Sequence, residues 1–383
     1  MGVLLLKQTC AILSTYAADV SGVCSALYEM GGMTVMHDAS GCNSTYNTHD
    51  EPRWYDMPSM VFISALAEVD AVMGDDEKLI GDVCRAAEEL RPRFVALAGT
   101  PIPMMMGTDF KGVARLIESR TGIPTFGFAT NGMHSYNKGA STALAAVAER
   151  FCDPSLSRRE LAAEEAPEVN LLGVTPLDFS VTGNVEAMKK SFVDAGFRVN
   201  SCWAMGDGWE RLMEAGRAHV NVVVSSCGEG LAKVLREKYA IPAVTGIPIG
   251  AAAQRELFDA ARAAARDGND RKMPAPDAEG AEFIVVGEPV QSAEIARALH
   301  RDFGIESVGA ISPLDFPDED KIFAQLKNAR TVIADPLYKP ALPKGCRFLS
   351  LPHEGYSGRI FRDQIPLIMG GNFNEWIKKE LSL

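Results

Sequence analysis

The sequence predicts an α/β protein of three modules, each a mostly parallel sheet flanked by helices. Three observations carry that expectation. Short β-rich runs alternate with amphipathic stretches beyond the first third of the chain, the runs are apolar nearly throughout, and Gly or Pro punctuates the joins. A run that is apolar at every position suits a strand covered on both faces, the setting of a parallel sheet between helices.

Taken in order, MTVMHDA (33–39) reads as a short strand, FVALA (94–98) as another followed by the amphipathic FKGVARLIESR (110–120), and IPTFGF (123–128) as a strand before a helix near 138–151. VNLLGV (169–174) leads to a helix around 184–196, FRVNSCW (197–203) to another, and VNVVVSS (220–226) to GLAKVLREKYA (230–240) and then IPAVTG. The rhythm restarts after RDGNDRKMPAPDAEG (266–280) with FIVVG (283–287), a helix at 291–303 and a strand in IESVGAI. The alanine-rich acidic stretch 153–168 reads as a first connector, so three Rossmann-like modules are expected at 1–165, 166–275 and 276–383.

A net charge of −12 on 383 residues leaves no basic excess for a nucleic-acid backbone. No apolar stretch of membrane-spanning length and no basic leader stands in the sequence, so a cytoplasmic protein is expected. There is no G-x-x-x-x-G-K-[ST] to hold a nucleotide's phosphates and no G-x-G-x-x-G after an expected strand. Chemistry must then come from something bound in the clefts or delivered by another protein.

The eight cysteines are too sparse for a disulfide framework, and none forms C-x-x-C. Cys84 shares a helical face with Leu79, Ile80, Val83 and Ala87 and reads as core, while Cys152, Cys202 and Cys346 carry no argument beyond burial. Cys24 and Cys42 differ. They lie 18 positions apart among small residues (Ser21, Gly22, Ser25; Ser40, Gly41, Ser44), on either side of the expected strand 33–39. That arrangement could bring two thiols together with backbone N–H groups near any bound sulfide. Two buried structural cysteines are the competing reading.

Residues 21–46 (SGVCSALYEMGGMTVMHDASGCNSTY) resemble the cluster region of the nitrogenase component 1 superfamily. That superfamily includes the nitrogenase α and β subunits, cofactor-assembly scaffolds, dark-operative protochlorophyllide reductase and the nickel-tetrapyrrole reductive cyclase. The resemblance continues through 66–90, 91–128, 237–242 and 352–359. It implies that Cys24 and Cys42 match the first two cluster cysteines, while Pro101 stands where a third would lie. Two cysteines cannot complete a [4Fe–4S] cubane, which normally takes four thiolates. A homodimer, or a heterodimer with a related chain, would supply four across a two-fold axis. Cys10 is the alternative further ligand.

The resemblance also implies a metallocofactor or a tetrapyrrole-type ligand in an interdomain cavity. Cys227, beyond the strand 220–226, and His353, in His-Glu-Gly-Tyr-Ser-Gly, are its candidate ligands, each offset from the family register. His37 and Asp38 could relay protons beside the cluster or fix a turn, and His134 could face the cavity. The run 49–55 (His-Asp-Glu-Pro-Arg-Trp-Tyr) could line a cavity or receive a partner, and Met104, Met105 and Met106 could face a macrocycle or fill an interface. The expected function is the catalytic half of an ATP-dependent two-component reductase, fed by a separate P-loop iron–sulfur protein and acting on a small molecule. A non-catalytic scaffold for metallocluster assembly and a cluster-free ligand-binding protein are the alternatives.

Overall fold

The computed structural model describes residues 12, 14, 18–43, 50–314 and 319–382. Three sheets occupy successive stretches of the chain, and every strand pairing in them is parallel. The first contains β1 (Met33–His37), β2 (Val61–Ile63), β3 (Val95–Gly99) and β4 (Thr125–Phe128) in the order β2-β1-β3-β4. Around it stand α1 (Asp19–Leu27), α2 (Glu68–Met73), α3 (Glu77–Leu90), α4 (Pro101–Met106), α5 (Phe110–Thr121) and α6 (Tyr136–Phe151).

The second sheet has β5 (Glu168–Leu172), β6 (Arg198–Cys202), β7 (Val220–Val223), β8 (Ala243–Thr245) and β9 (Arg271–Lys272), ordered β6-β5-β7-β8-β9. Its helices are α7 (Pro176–Phe179), α8 (Asn184–Asp194), α9 (Trp209–Met213), α10 (Glu229–Tyr239) and α11 (Ala253–Asp267). The third has β10 (Phe283–Val286), β11 (Val308–Ile311), β12 (Thr331–Ala334) and β13 (Arg347–Ser350), ordered β11-β10-β12-β13. With it come α12 (Pro289–Phe303), α13 (Glu319–Leu326), α14 (Glu354–Ser357) and α15 (Asn372–Leu381).

The apolar strands are covered on both faces, as their composition requires: β3, β7 and β10 are buried at every position. Packing does not stop at the sheets. One core joins Phe192, Leu257 and Val222 of the second to Ile295, Leu299 and Ile333 of the third, and draws in Phe373 and Ile377 of α15. A second core joins α1, α6 and β3 to Leu172, Trp203 and Leu231. The three sheets therefore lean on shared apolar surface.

One contact fixes the setting of Cys24. Helices α1 and α6 cross at backbone distance: a Cβ on Gly22 would lie 1.8 Å from the Tyr136 carbonyl oxygen, and one on Gly139 would lie 1.8 Å from that of Asp19. Only glycine tolerates this, and the closeness buries α1 along its whole length.

Candidate functional site at the meeting of the second and third sheets

In an open parallel sheet, ligands gather outside the carboxyl ends of strands where the strand order reverses. In the second sheet that point lies between β5 and β7, in the third between β10 and β12. The loops leaving those strands face one another. After β5 comes α7 with Asp178, and after β7 a 3₁₀ turn (Ser226–Gly228) with Cys227. Glu288 follows β10, Asp335 follows β12, and His353 follows β13.

Asp178 is the hub. Its carboxylate accepts from Tyr136 Oη at 2.5 Å, Ser225 Oγ at 2.6 Å, Thr175 Oγ1 at 2.8 Å and Cys227 Sγ at 3.3 Å. His353 Nε2 stands 3.6 Å from Asp178 Oδ1. Cys227 and His353, 126 positions apart in the chain, thus converge on one carboxylate that the sequence pattern does not single out. Burial, and then Asp178, push the Cys227 thiol far up, so it stays a neutral donor. Burial also holds His353 below its ordinary value, against the pull of Asp178 and Asp335.

The tautomer of His353 follows from its partners. Nδ1 accepts from the Gly355 N–H at 3.1 Å, which places the proton of the neutral ring on Nε2. Nε2 has no hydrogen-bond partner among the described residues, and neither has Tyr356 Oη, whose ring lies 4.6 Å from the imidazole. Asp335 steadies the turn by accepting from His353 N at 2.8 Å and Ser357 Oγ at 2.7 Å. Beneath these groups remains a cavity of about 10 Å³ lined by Asp178, Asn184, Gln291 and His353. That is room for about one water, so the junction in this closed form leaves no space for a larger ligand.

Glu288 ties the sheets together. One oxygen accepts from Ser226 N at 2.8 Å across the junction; the other caps α12 through Val290 N at 2.9 Å and Gln291 N at 2.8 Å. Full burial, reinforced by Asp178, pushes its carboxyl up to about 8. A carboxyl whose folded value exceeds its unfolded value binds an extra proton when folded, so stability is lost as pH rises through the folded value. The lowered histidines, His37, His219 and His353, are still partly protonated in the unfolded chain just above their ordinary value of 6.5, which offsets a little of the loss. Glu294, pushed by burial to about 7, is half titrated at pH 7 and adds a smaller loss over the same interval. Glu288 therefore dominates between pH 7 and 8, where the wild type should lose about 1 kcal/mol of stability and Glu288→Gln should lose little. Urea midpoints of both proteins at pH 7 and 8 measure this, and parallel slopes would refute it.

The other expected site residues scatter. His37 ends β1 with Nδ1 2.8 Å from Ser64 Oγ, and Asp38 accepts from Ala39 N at 2.8 Å and Asn43 Nδ2 at 2.9 Å, so the pair holds a turn. His134 is exposed, 3.4 Å from Asp19, and lies away from the junction. Pro101 opens α4 at a position that needs no N–H. Cys42 is exposed in the turn after β1, its thiol raised chiefly by Asp38. Cys24 has no exposed surface and sits on α1 within the second core. Cys10 and His49 lie outside the described residues. Sequence reasoning missed Asp178, Glu288 and Asp335, although each follows an apolar strand within a few residues, in VTPLDF, VGEP and ADP.

Three parallel sheets, the second and third facing one another at their carboxyl ends, define a multi-module α/β protein with its candidate site between modules. The profile of the nitrogenase component 1 type oxidoreductases matches residues 20–339, and the chain belongs to that family. Among curated relatives, the nitrogenase iron-molybdenum cofactor biosynthesis protein NifE of Methanococcus maripaludis is 24% identical over 48% of this chain and 37% of its own length. One of the polypeptides of light-independent protochlorophyllide reductase from a Synechococcus strain is 22% identical over 64% of this chain and 54% of its own. The matched stretches thus span about half or less of those relatives. The solved structure "Nitrogenase Cp1 at pH 5" shares the fold with a TM-score of 0.55 at 16% identity, covering 99% of this chain and 80% of that one. No helix among the described residues is long and apolar enough to cross a membrane.

Proposed function

We propose that this chain is the component 1-type subunit of an ATP-dependent two-component reductase, acting on a small molecule admitted to the Asp178–Cys227–His353 junction. The observation that carries the reading is the convergence of those three side chains at the carboxyl ends of two sheets. Cys227, Tyr136, Ser225 and Thr175 donate to Asp178, and His353 Nε2–H and Tyr356 Oη have no hydrogen-bond partner among the described residues, so bound substrate would meet those two unspent donors in a water-poor site. We keep the division at 1–165, 166–275 and 276–383 and the cytoplasmic setting as part of the proposal.

An iron–sulfur cluster belongs to the same reading, and the two cysteines fit it unequally. No group of three or more His, Cys, Asp or Glu positioned for a metal ion occurs among the described residues, and the reading takes the ligands as pooled between chains. Cys42 suits a shared cluster because it is exposed. Cys24 suits it less well, since its side chain is fully buried on α1. When bound, such a cluster supplies one-electron transfer.

The contact that would pool ligands is supported by exposed apolar side chains beyond the carboxyl edge of the first sheet. Helix α2 buries none of its residues, and Val72 and Met105 are 79% and 82% exposed. Such surface on an acidic chain favours a second copy or a related component 1-type chain over solvent. Mixing the anaerobic protein with a P-loop iron–sulfur reductase, MgATP and dithionite tests the function. An EPR signal on this chain that requires ATP supports it, and arrival no faster than with dithionite alone overturns it. The likeness to NifE favours a scaffold as second reading, which predicts instead transfer of bound metal to an acceptor protein.

A further inference from the structure

We propose that residues 352–367 are a lid over the Asp178–Cys227 junction, latched shut by Arg359 and Arg362 against the segment 50–53 of the first module. Between the end of β13 and the buried Ile368, the chain makes only α14 and a 3₁₀ turn (Gly358–Gln364). Its helical turns are short, and it joins β13 to α15 without a strand or long helix of its own. Its first half is a plug: residues 352–358 are buried and carry His353 and Tyr356 over the hub. Its second half is exposed and carries the latch.

The latch has two ties. Arg359 Nε meets Asp50 Oδ1 at 3.0 Å, and Arg362 Nη2 donates to the Asp50 carbonyl at 3.0 Å. Arg362 also pairs with Glu354, the residue after His353, through Oε2 at 3.1 Å and through Oε1. A change at the latch therefore reaches the plug directly.

The post on the other side is fixed. Arg53, buried, donates to Glu51 at 2.6 Å, to Glu29 at 2.9 Å, and to the carbonyls of Ser25 at 2.8 Å and Ala204 at 3.2 Å. It thereby joins the first and second modules behind Asp50. The far end of the lid is pinned by Asn184, which donates to the Pro366 carbonyl at 3.1 Å and accepts from Ile368 N at 3.0 Å. Between plug and latch stands Gly358, with φ +60° and ψ −148°, a conformation open to glycine and costly for other residues.

Two features of the closed form call for opening. His353 Nε2 and Tyr356 Oη are buried without a hydrogen-bond partner among the described residues, an unfavourable state that an admitted polar ligand would relieve. The cavity of about 10 Å³ admits no such ligand until the plug moves. The shared core of the second and third sheets resists rigid separation of those modules, which leaves the strap as the part able to move. The lid stands independently of the reductase reading, because it concerns access and not the substrate.

Site-resolved alkylation of the native full chain by N-ethylmaleimide tests it, with buried Cys152 and Cys202 as internal references for global unfolding. In Arg362→Ala/Glu354→Gln, which cuts the tie without leaving a buried charge unpaired, Cys227 should react about tenfold faster or more while both references keep their rates. Arg359→Ala, which removes only the outer tie, should raise hydrogen exchange within 352–367 and leave α12 protected. Cys227 reacting only in step with Cys152 and Cys202, or unchanged exchange across 352–367 in folded variants, would overturn the lid.

Discussion

Cys42→Ala is expected to leave the anaerobically purified protein without iron, whereas Cys24→Ala keeps it. The wild type should hold about four irons per pair of chains, the content of one [4Fe–4S] cluster. The asymmetry rests on exposure. A ligand to a cluster shared between chains must reach the contact surface, and Cys42 does. The Cys24 side chain is fully buried on α1, with Glu51 as its nearest charged influence. Removing its sulfur should cost a little packing and no metal. Cys10→Ala completes the series: iron loss there together with Cys42→Ala identifies the second thiolate of each chain. Val72→Glu, placed on the exposed face of α2, should split the pair and release iron with every cysteine intact. Iron and sulfide analysis with EPR, beside sedimentation of each variant, decides among these outcomes. Iron loss from a folded Cys24→Ala would reinstate it as a ligand, and colourless wild-type protein would leave the cluster-free reading.

What can be read in the sequence is what depends on local pattern. Continuous apolar runs announce parallel strands, and β3, β7 and β10 fall where those runs stand. The helical face of Leu79, Ile80, Val83, Cys84 and Ala87 is the buried face of α3. Cys42 lies on the turn leaving β1, as expected, because a strand end can be seen in the residues around it. For Cys24 the sequence offers only its neighbours, and those small neighbours carry a double meaning. Gly22 and Ser21 could let backbone approach a sulfide, or let one helix lie against another. Gly22 does the second, and its counterpart in α6, Gly139, lies 117 positions beyond it. The junction is half legible for the same reason. Cys227 and His353 stand out singly, but their shared partner Asp178 depends on how two sheets face each other, which no local pattern encodes.

Asp178→Ala should be the most destabilising single change at the junction, at about 3–5 kcal/mol. The substitution removes little apolar contact, so the loss comes from the groups left behind. Tyr136 Oη, Thr175 Oγ1, Ser225 Oγ and Cys227 Sγ all donate to this one carboxylate. None of them faces water, since all four residues are buried. Each abandoned donor carries a desolvation cost of about 1–3 kcal/mol, reduced where a hydroxyl can turn to another acceptor. Asp178→Asn keeps one acceptor oxygen and the shape of the side chain, so it should cost less than the alanine. Urea unfolding followed by both tryptophan fluorescence and circular dichroism measures the difference and shows whether the transition is a single step. The two variants also separate two meanings of the hub. If Asp178→Ala unfolds with the loss expected while Asp178→Asn stays near wild type, the carboxylate serves chiefly as an acceptor that holds the junction together. If both are nearly neutral, the closed cluster contributes little to the fold, and its donors are free to be spent on a ligand.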